Sequence, residues 1–169
     1  MKLNGSRGVP VISYGVNVAR PCGDCGSEMT CDLAQRIVHD RLHWTAECHC
    51  PHCGSTVETC GWDDTPAEIR DALVARSGLA RLTVAGLTGP SRVAMLKVFR
   101  DAGASLSEAK MAAQRAVTTG VEGTRVELEL LMQRLERNNI TAIVNGGDSC
   151  RVDQHQPRPK ANRHARDQE

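Results

Sequence analysis

The chain has 169 residues, with 21 Lys and Arg set against 20 Asp and Glu, and its aromatic side chains are Tyr14, Trp44, Trp62 and Phe99. That length accommodates one ordinary domain or two small ones, and the near-zero net charge excludes a whole-protein attraction to nucleic acid or to an anionic membrane. No apolar run approaches the roughly 18 residues of a spanning helix, and Met1 to Pro10 lacks the apolar stretch of a secretory signal, so a cytoplasmic protein is expected.

Residues 1–19 form an N-terminal segment with a short β-prone run, Val9 to Val18, interrupted by Pro10 and Gly15. Residues 20–63 then hold seven of the eight cysteines, with only Cys150 elsewhere. In a reducing compartment such cysteines are metal ligands or free thiols. Cys22-Gly-Asp-Cys25-Gly26 and Cys50-Pro-His-Cys53-Gly54 are two Cys-x-x-Cys turns, each followed by glycine. Two intervening residues let both sulfurs face one ion, and the glycine lets the backbone fold beneath it. Cys22, Cys25, Cys50 and Cys53 are therefore expected to hold one structural Zn2+, in a zinc ribbon whose strands lie within the β-prone stretch Arg36 to Cys48. Four thiolates close such a site, which leaves Cys31, Cys48, Cys60, His39, His43, His49 and His52 as packed thiols or exposed imidazoles.

Enzymatic readings of the cluster fail on spacing. Pro21-Cys22-x-x-Cys25 imitates half of a zinc deaminase signature, but no His-x-Glu precedes it. A thioredoxin-like dithiol has no use for a second matched pair. The ribbon is also acidic, with Asp24, Glu28, Asp32, Asp40, Glu47, Glu58 and Asp63 against Arg20, Arg36 and Arg41.

Residues 64–79 read as a connecting helix over 66–77, with Thr65 as its cap, Pro66 at the first helical position and Gly78 as its stop. Arg81 to Leu87 reads as a strand. Ser91 can cap a helix over 92–102 that Gly103 ends. Ser105-Leu-Ser-Glu108 and Thr124-Arg-Val-Glu127 are capping boxes that open two further helices, the first ending near Val117. In the second, Leu128, Leu131, Met132 and Leu135 recur at i, i+3, i+4 and i+7. A short strand near Val121 and a closing strand over Ile140 to Val144 complete residues 80–145 as a three-helix, small antiparallel-sheet α+β domain. Residues 146–169 turn polar, with Pro157 and Pro159, and are expected to be a disordered tail.

The helix near 92–102 carries two apolar stripes. Met95, Val98, Phe99 and Ala102 form one, and Val93 and Leu96 form the other beside Lys97 and Arg100. A single stripe satisfies a core. The second, mixed with cations, has the chemistry of a docking surface for an acidic partner.

Residues 91–117 carry the words Val93-Ala94-x-Leu96-Lys97-x-x-Arg100 and Leu106-x-Glu108-Ala109-Lys110. With the flanking strands, they resemble the C-terminal domain of the bacterial large-subunit ribosomal stalk protein. The resemblance implies a three-helix layer on a small antiparallel sheet, with recruitment of translational GTPases through Val93, Leu96, Lys97, Arg100 and Lys110. The family's N-terminal dimerisation domain and hinge have no counterpart here, where a zinc ribbon stands in front. The sequence thus points to a non-enzymatic, zinc-binding protein-interaction factor whose partner is a translational GTPase or a ribosome-associated factor. One alternative is an immunity or inhibitor protein whose acidic ribbon neutralises a toxin or enzyme. The other, a nucleic-acid-binding ribbon, is opposed by the ribbon's own sign of charge.

Overall fold

The computed structural model describes residues 13–86 and 89–147. The expected tail from residue 148 onward, with Cys150, and the start of the N-terminal segment lie outside the described residues. The strands β1 (Ser13–Pro21), β2 (Glu28–Val38), β3 (Arg41–His49) and β4 (Thr56–Trp62) form one antiparallel sheet in the order β1-β2-β3-β4. The ribbon thus takes in residues 13–19 as well, because Ser13 to Pro21 pairs along its whole length with Arg36 to Glu28. In β2, Met29, Cys31, Leu33 and Gln35 are buried while Glu28, Thr30 and Asp32 are exposed, the period of two expected of a sheet with one covered face.

The helix α1 (Ala67–Ser77) lies on that inner face, with Ile69 and Leu73 packed among Met29, Cys31, Leu33 and Cys48. Thr65 does not cap it. Pro66 occupies the N-cap position without a side-chain bond, and the Thr65 hydroxyl instead accepts from Gln35 Nε2 at 2.7 Å. Gly78, at φ 77°, ends the helix as expected of a residue without a Cβ.

A second sheet, β6-β5-β7, is built from β5 (Ala80–Val84), β6 (Val121–Gly123) and β7 (Ala142–Asn145), with both pairings antiparallel. The helices α2 (Gly89–Asp101), α3 (Leu106–Val117) and α4 (Arg125–Glu136) complete the module in the order strand, helix, helix, strand, helix, strand. Both expected capping boxes are formed, Ser105 with Glu108 and Thr124 with Glu127. Ser91 lies inside α2 rather than ahead of it, since the helix begins at Gly89. The module's core gathers Leu82, Met95, Val98, Phe99, Ala109, Ala116, Leu128, Leu135 and Ile140. Ala102 falls past the end of α2 and is exposed, so the inward stripe of that helix stops at Phe99.

The two sheets are joined through α4, which buries two faces. Leu128 and Leu135 enter the core of the second module, whereas Val126 and Leu130 pack with Tyr14, Ile37 and Leu42 of the ribbon. Each such aliphatic side chain contributes roughly 1.5–3 kcal/mol when fully buried. Polar groups fix the joint in register. Gln35, fully buried, accepts a hydrogen bond from the Thr124 hydroxyl at 2.7 Å, and Arg70 of α1 donates to Glu127 at 2.9 Å. At the far end of the ribbon, His39 and Asp40 take positive φ in the tight β2–β3 turn, and Arg137 grips the Asp40 carboxylate at 2.8 and 2.5 Å.

Arg137 holds the Asp40 carboxyl below the usual carboxylate range, so its contribution to stability is present above the unfolded pKa and is lost as pH falls through the depressed folded value. Both partners are about half exposed, which limits the pair to about 1 kcal/mol or less. Urea denaturation of Asp40→Asn should show a deficit of that size at pH 7 that closes as the pH is taken below about 4, and that is smaller in high salt.

Candidate metal centre and docking face

The two Cys-x-x-Cys turns sit on different hairpins, one between β1 and β2 and the other between β3 and β4. Their backbones are near copies. Cys22 N–H donates to Ser27 O at 2.8 Å and Gly26 N–H to Cys22 O at 2.9 Å, and the same two bonds recur from Cys50 to Ser55 and from Gly54 to Cys50 at 2.8 and 2.9 Å. Gly26 and Gly54 both lie at positive φ, 71° and 75°, the conformation that lets each chain double back under its sulfurs.

This geometry brings the sulfurs of Cys22, Cys25, Cys50 and Cys53 to within 4.8 Å of one another. Cys22 to Cys53 is 3.7 Å and Cys25 to Cys50 is 3.6 Å, both contacts between the two turns. A tetrahedron with metal–sulfur bonds of about 2.3 Å has edges of about 3.8 Å, so the spacing fits four thiolates around one ion. Cys22 and Cys50 are buried, while Cys25 and Cys53 face solvent. Among the described residues, no other Cys, His, Asp or Glu group gathers in this way.

The two exposed thiols of the cluster differ in acidity. Hydrogen bonds from the Ser27 backbone and hydroxyl lower Cys25 to about 6. The Ser55 backbone N–H also favours the Cys53 thiolate, yet the neighbouring Cys25 thiol, burial, and Cys50 and Cys22 outweigh it and push Cys53 up to about 12. A bound cation would favour the thiolate form of both.

The remaining cysteines and histidines of the ribbon separate cleanly from this cluster. Cys31 and Cys48, expected as packed thiols, are joined in a disulfide. They are directly opposite across β2 and β3 and both buried, so strand register alone brings them together. Cys60 is free and exposed on β4. His43 packs edge-on against Trp62 and its Nδ1 accepts from Arg36 at 3.0 Å; burial, and then the Arg36 charge, lower its pKa. His39, His49 and His52 are exposed.

On α2, Met95, Val98 and Phe99 face the core, whereas Val93 (69% exposed), Lys97 and Arg100 face outward. Leu96 is half-buried. It lines a groove of about 250 Å3 between α2 and α3, together with Arg92, Met95 and Lys110. Of the five residues carried over from the stalk-domain resemblance, Leu96 and Lys110 share this groove, with Leu96 also packed against the core, while Val93, Lys97 and Arg100 are exposed on α2. Sequence reasoning missed a feature of the ribbon's other face. Asp32, Glu47 and Glu58 are direct cross-strand neighbours on β2, β3 and β4, a carboxylate row on the side away from α1 and α4.

No protein-family model matches the chain, and neither the curated proteins nor the solved structures give a significant match. Among the described residues no helix is long and apolar enough to cross a membrane. The cysteine cluster could hold a metal ion, and that is the site's defining chemistry.

Titration with Co2+ should produce the absorption of a tetrahedral thiolate complex at one ion per chain, with release of protons from the thiols. Cys50→Ser should weaken binding by more than the roughly 10–100-fold that follows loss of a supporting neighbour of a metal ligand. An unchanged affinity would show that these four sulfurs are not the ligands.

Proposed function

We propose that the chain is a non-enzymatic, zinc-stabilised interaction factor, in which one structural Zn2+ on Cys22, Cys25, Cys50 and Cys53 folds the ribbon and the second module docks a protein partner. Four thiolates suit Zn2+ and leave no open position for water, so the ion's task is structural. The observation that carries the docking reading is the outward stripe of α2, where Val93 is 69% exposed beside Lys97 and Arg100 while the opposite stripe supplies the core. An aliphatic side chain displayed between cations suits a partner with an acidic, partly apolar surface. The resemblance of residues 91–117 to the ribosomal stalk domain supports a translational GTPase as that partner, with Val93, Leu96, Lys97, Arg100 and Lys110 as contacts. Binding of the metal-loaded chain to a purified translational GTPase should weaken at least tenfold on joint substitution Lys97→Glu and Arg100→Glu. Equal binding by the variant removes the face from the mechanism, and absence of binding by the unaltered chain removes the partner class.

A second reading, an inhibitor or immunity protein, is favoured by the Asp32, Glu47 and Glu58 row. Three carboxylates side by side on one sheet face would complement a basic surface. In this reading, joint substitution of the three by Asn and Gln releases a copurifying basic toxin or enzyme. A triple variant that retains such a partner undiminished excludes it.

A further inference from the structure

The metal site uses four cysteines, and the ribbon spends two more on a bond that takes no part in coordination. The two halves of the metal site lie on separate hairpins, β1–β2 and β3–β4, and what joins them within the sheet is the pairing of β2 with β3. That pairing is closed at one end by the His39–Asp40 turn. Its other end, where the metal site sits, has no connecting loop. Thr30 and His49 are the last pair there, and Cys31 and Cys48 are the next one in.

We propose that the Cys31–Cys48 disulfide is a positioning bond for the metal site, holding its two halves at coordination distance, so that metal affinity depends on the redox state of this pair. The inference rests on the metal reading above. Both sulfurs are buried in the same apolar cluster as the ligands Cys22 and Cys50, so a change in strand separation at this pair reaches the coordinating sulfurs directly. Cys48 stands two residues before Cys50 on the same chain segment. With the bond intact, the open end of the hairpin cannot fray. With it reduced, fraying moves the turn carrying Cys50 and Cys53 away from the turn carrying Cys22 and Cys25. The same cysteines are a dithiol in a reducing compartment and a disulfide in an oxidising one, which makes the ribbon's metal occupancy responsive to its surroundings.

The chemistry is thiol–disulfide exchange with a monothiol such as glutathione. A glutathione thiolate attacks one sulfur, the protein S–S bond breaks, and the other cysteine leaves and takes up a proton. A second glutathione thiolate displaces the first cysteine, giving one glutathione disulfide and two protein thiols; two electrons and two protons have passed to the protein. Linkage then makes the effect reciprocal. A disulfide that favours metal binding by some factor is itself favoured by metal by the same factor.

Two measurements on the full chain test this. Co2+ affinity, read from the thiolate absorption in competition with a chelator, should be at least tenfold higher for the disulfide form than for the double variant C31A/C48A. Redox titration of the unaltered chain in glutathione buffers, read by alkylation and peptide mass at Cys31 and Cys48, should show a midpoint more negative with Zn2+ than without, by about 30 mV for a tenfold coupling. A bond on which neither the sheet around the site nor the coordinating sulfurs depend would leave that midpoint unmoved by metal. If the double variant does not fold, the titration decides alone, since it needs no substitution. Equal Co2+ affinities, a midpoint unmoved by Zn2+, or alkylation of both cysteines under oxidising buffer each overturn the proposal. Absence of cobalt–thiolate absorption in every form removes the metal reading, and this inference with it.

Discussion

The register of β2 against β3 is the constraint on which the ribbon depends. Side chains alternate between faces with a period of two, so a slip of one residue in either strand would turn Met29, Cys31 and Leu33 outward together. The same slip would separate the two Cys-x-x-Cys turns, which belong to the hairpins on either side of that pairing. Register is therefore specified several times over. The inner face fixes it through Ile69 and Leu73 of α1, the tight turn at His39 and Asp40 fixes it at one end, and the disulfide fixes it near the other. Close packing adds a further condition at Gly61, where a Cβ would stand 2.5 Å from the Trp44 ring, so that the indole lies flat across the neighbouring strand only because position 61 carries no side chain. A sheet of this size buries little apolar area of its own and gains most from covalent and coordinate staples.

The second module is attached to this sheet by α4, and the attachment decides how the elements are placed. Thr124 performs two tasks at once. Its hydroxyl accepts from the Glu127 N–H as a helix cap and donates to the buried Gln35 of the ribbon. Gln35 in turn donates to Thr65 at the start of the connecting helix, so one amide ties together β2, α1 and α4. Glu127 is shared similarly between the capping box and Arg70. Because buried polar groups are costly when unpaired, such a network specifies one relative placement of the elements. α2 and α3 carry the exposed apolar residues Val93, Leu106 and Met111, while Val57, Trp62, Leu79 and Ile143 are exposed elsewhere.

Much of this was legible in the sequence where the physics is local. The paired Cys-x-x-Cys-Gly turns, the two capping boxes, the stop at Gly78 and the inward stripe Met95, Val98 and Phe99 depend on residues within one or two turns of chain, and each is found where local rules place it. What was not legible depends on pairing across the chain. Thr65 has the composition of a cap, but Gln35, 30 residues away, takes its hydroxyl. The period of α4 displays Leu128 and Leu135 as its core face and hides the fact that Val126 and Leu130 meet a second core. Cys31 and Cys48 are 17 residues apart, and only the β2–β3 register, set by a two-residue turn at His39 and Asp40, makes them opposite. The carboxylate row escaped for the same reason, since no spacing in the chain announces that Asp32, Glu47 and Glu58 will be neighbours.

That row also changes what the charge arithmetic means. A formal net charge of +1 describes the whole chain, and it removes only the long-range attraction that a large net charge would produce. A partner within a Debye length, about 8 Å at physiological salt, meets local charge instead. Here the local charges are segregated by module: the ribbon's outer face carries carboxylates on three adjacent strands, while the outward side of α2 and α3 carries Lys97, Arg100 and Lys110. Near-neutrality is therefore a sum over regions of opposite sign: residues 20–63 carry seven carboxylates against three arginines, and the rest of the chain makes up the difference. Because α4 packs against both cores, the carboxylate row and the cations of α2 and α3 stay on separate modules.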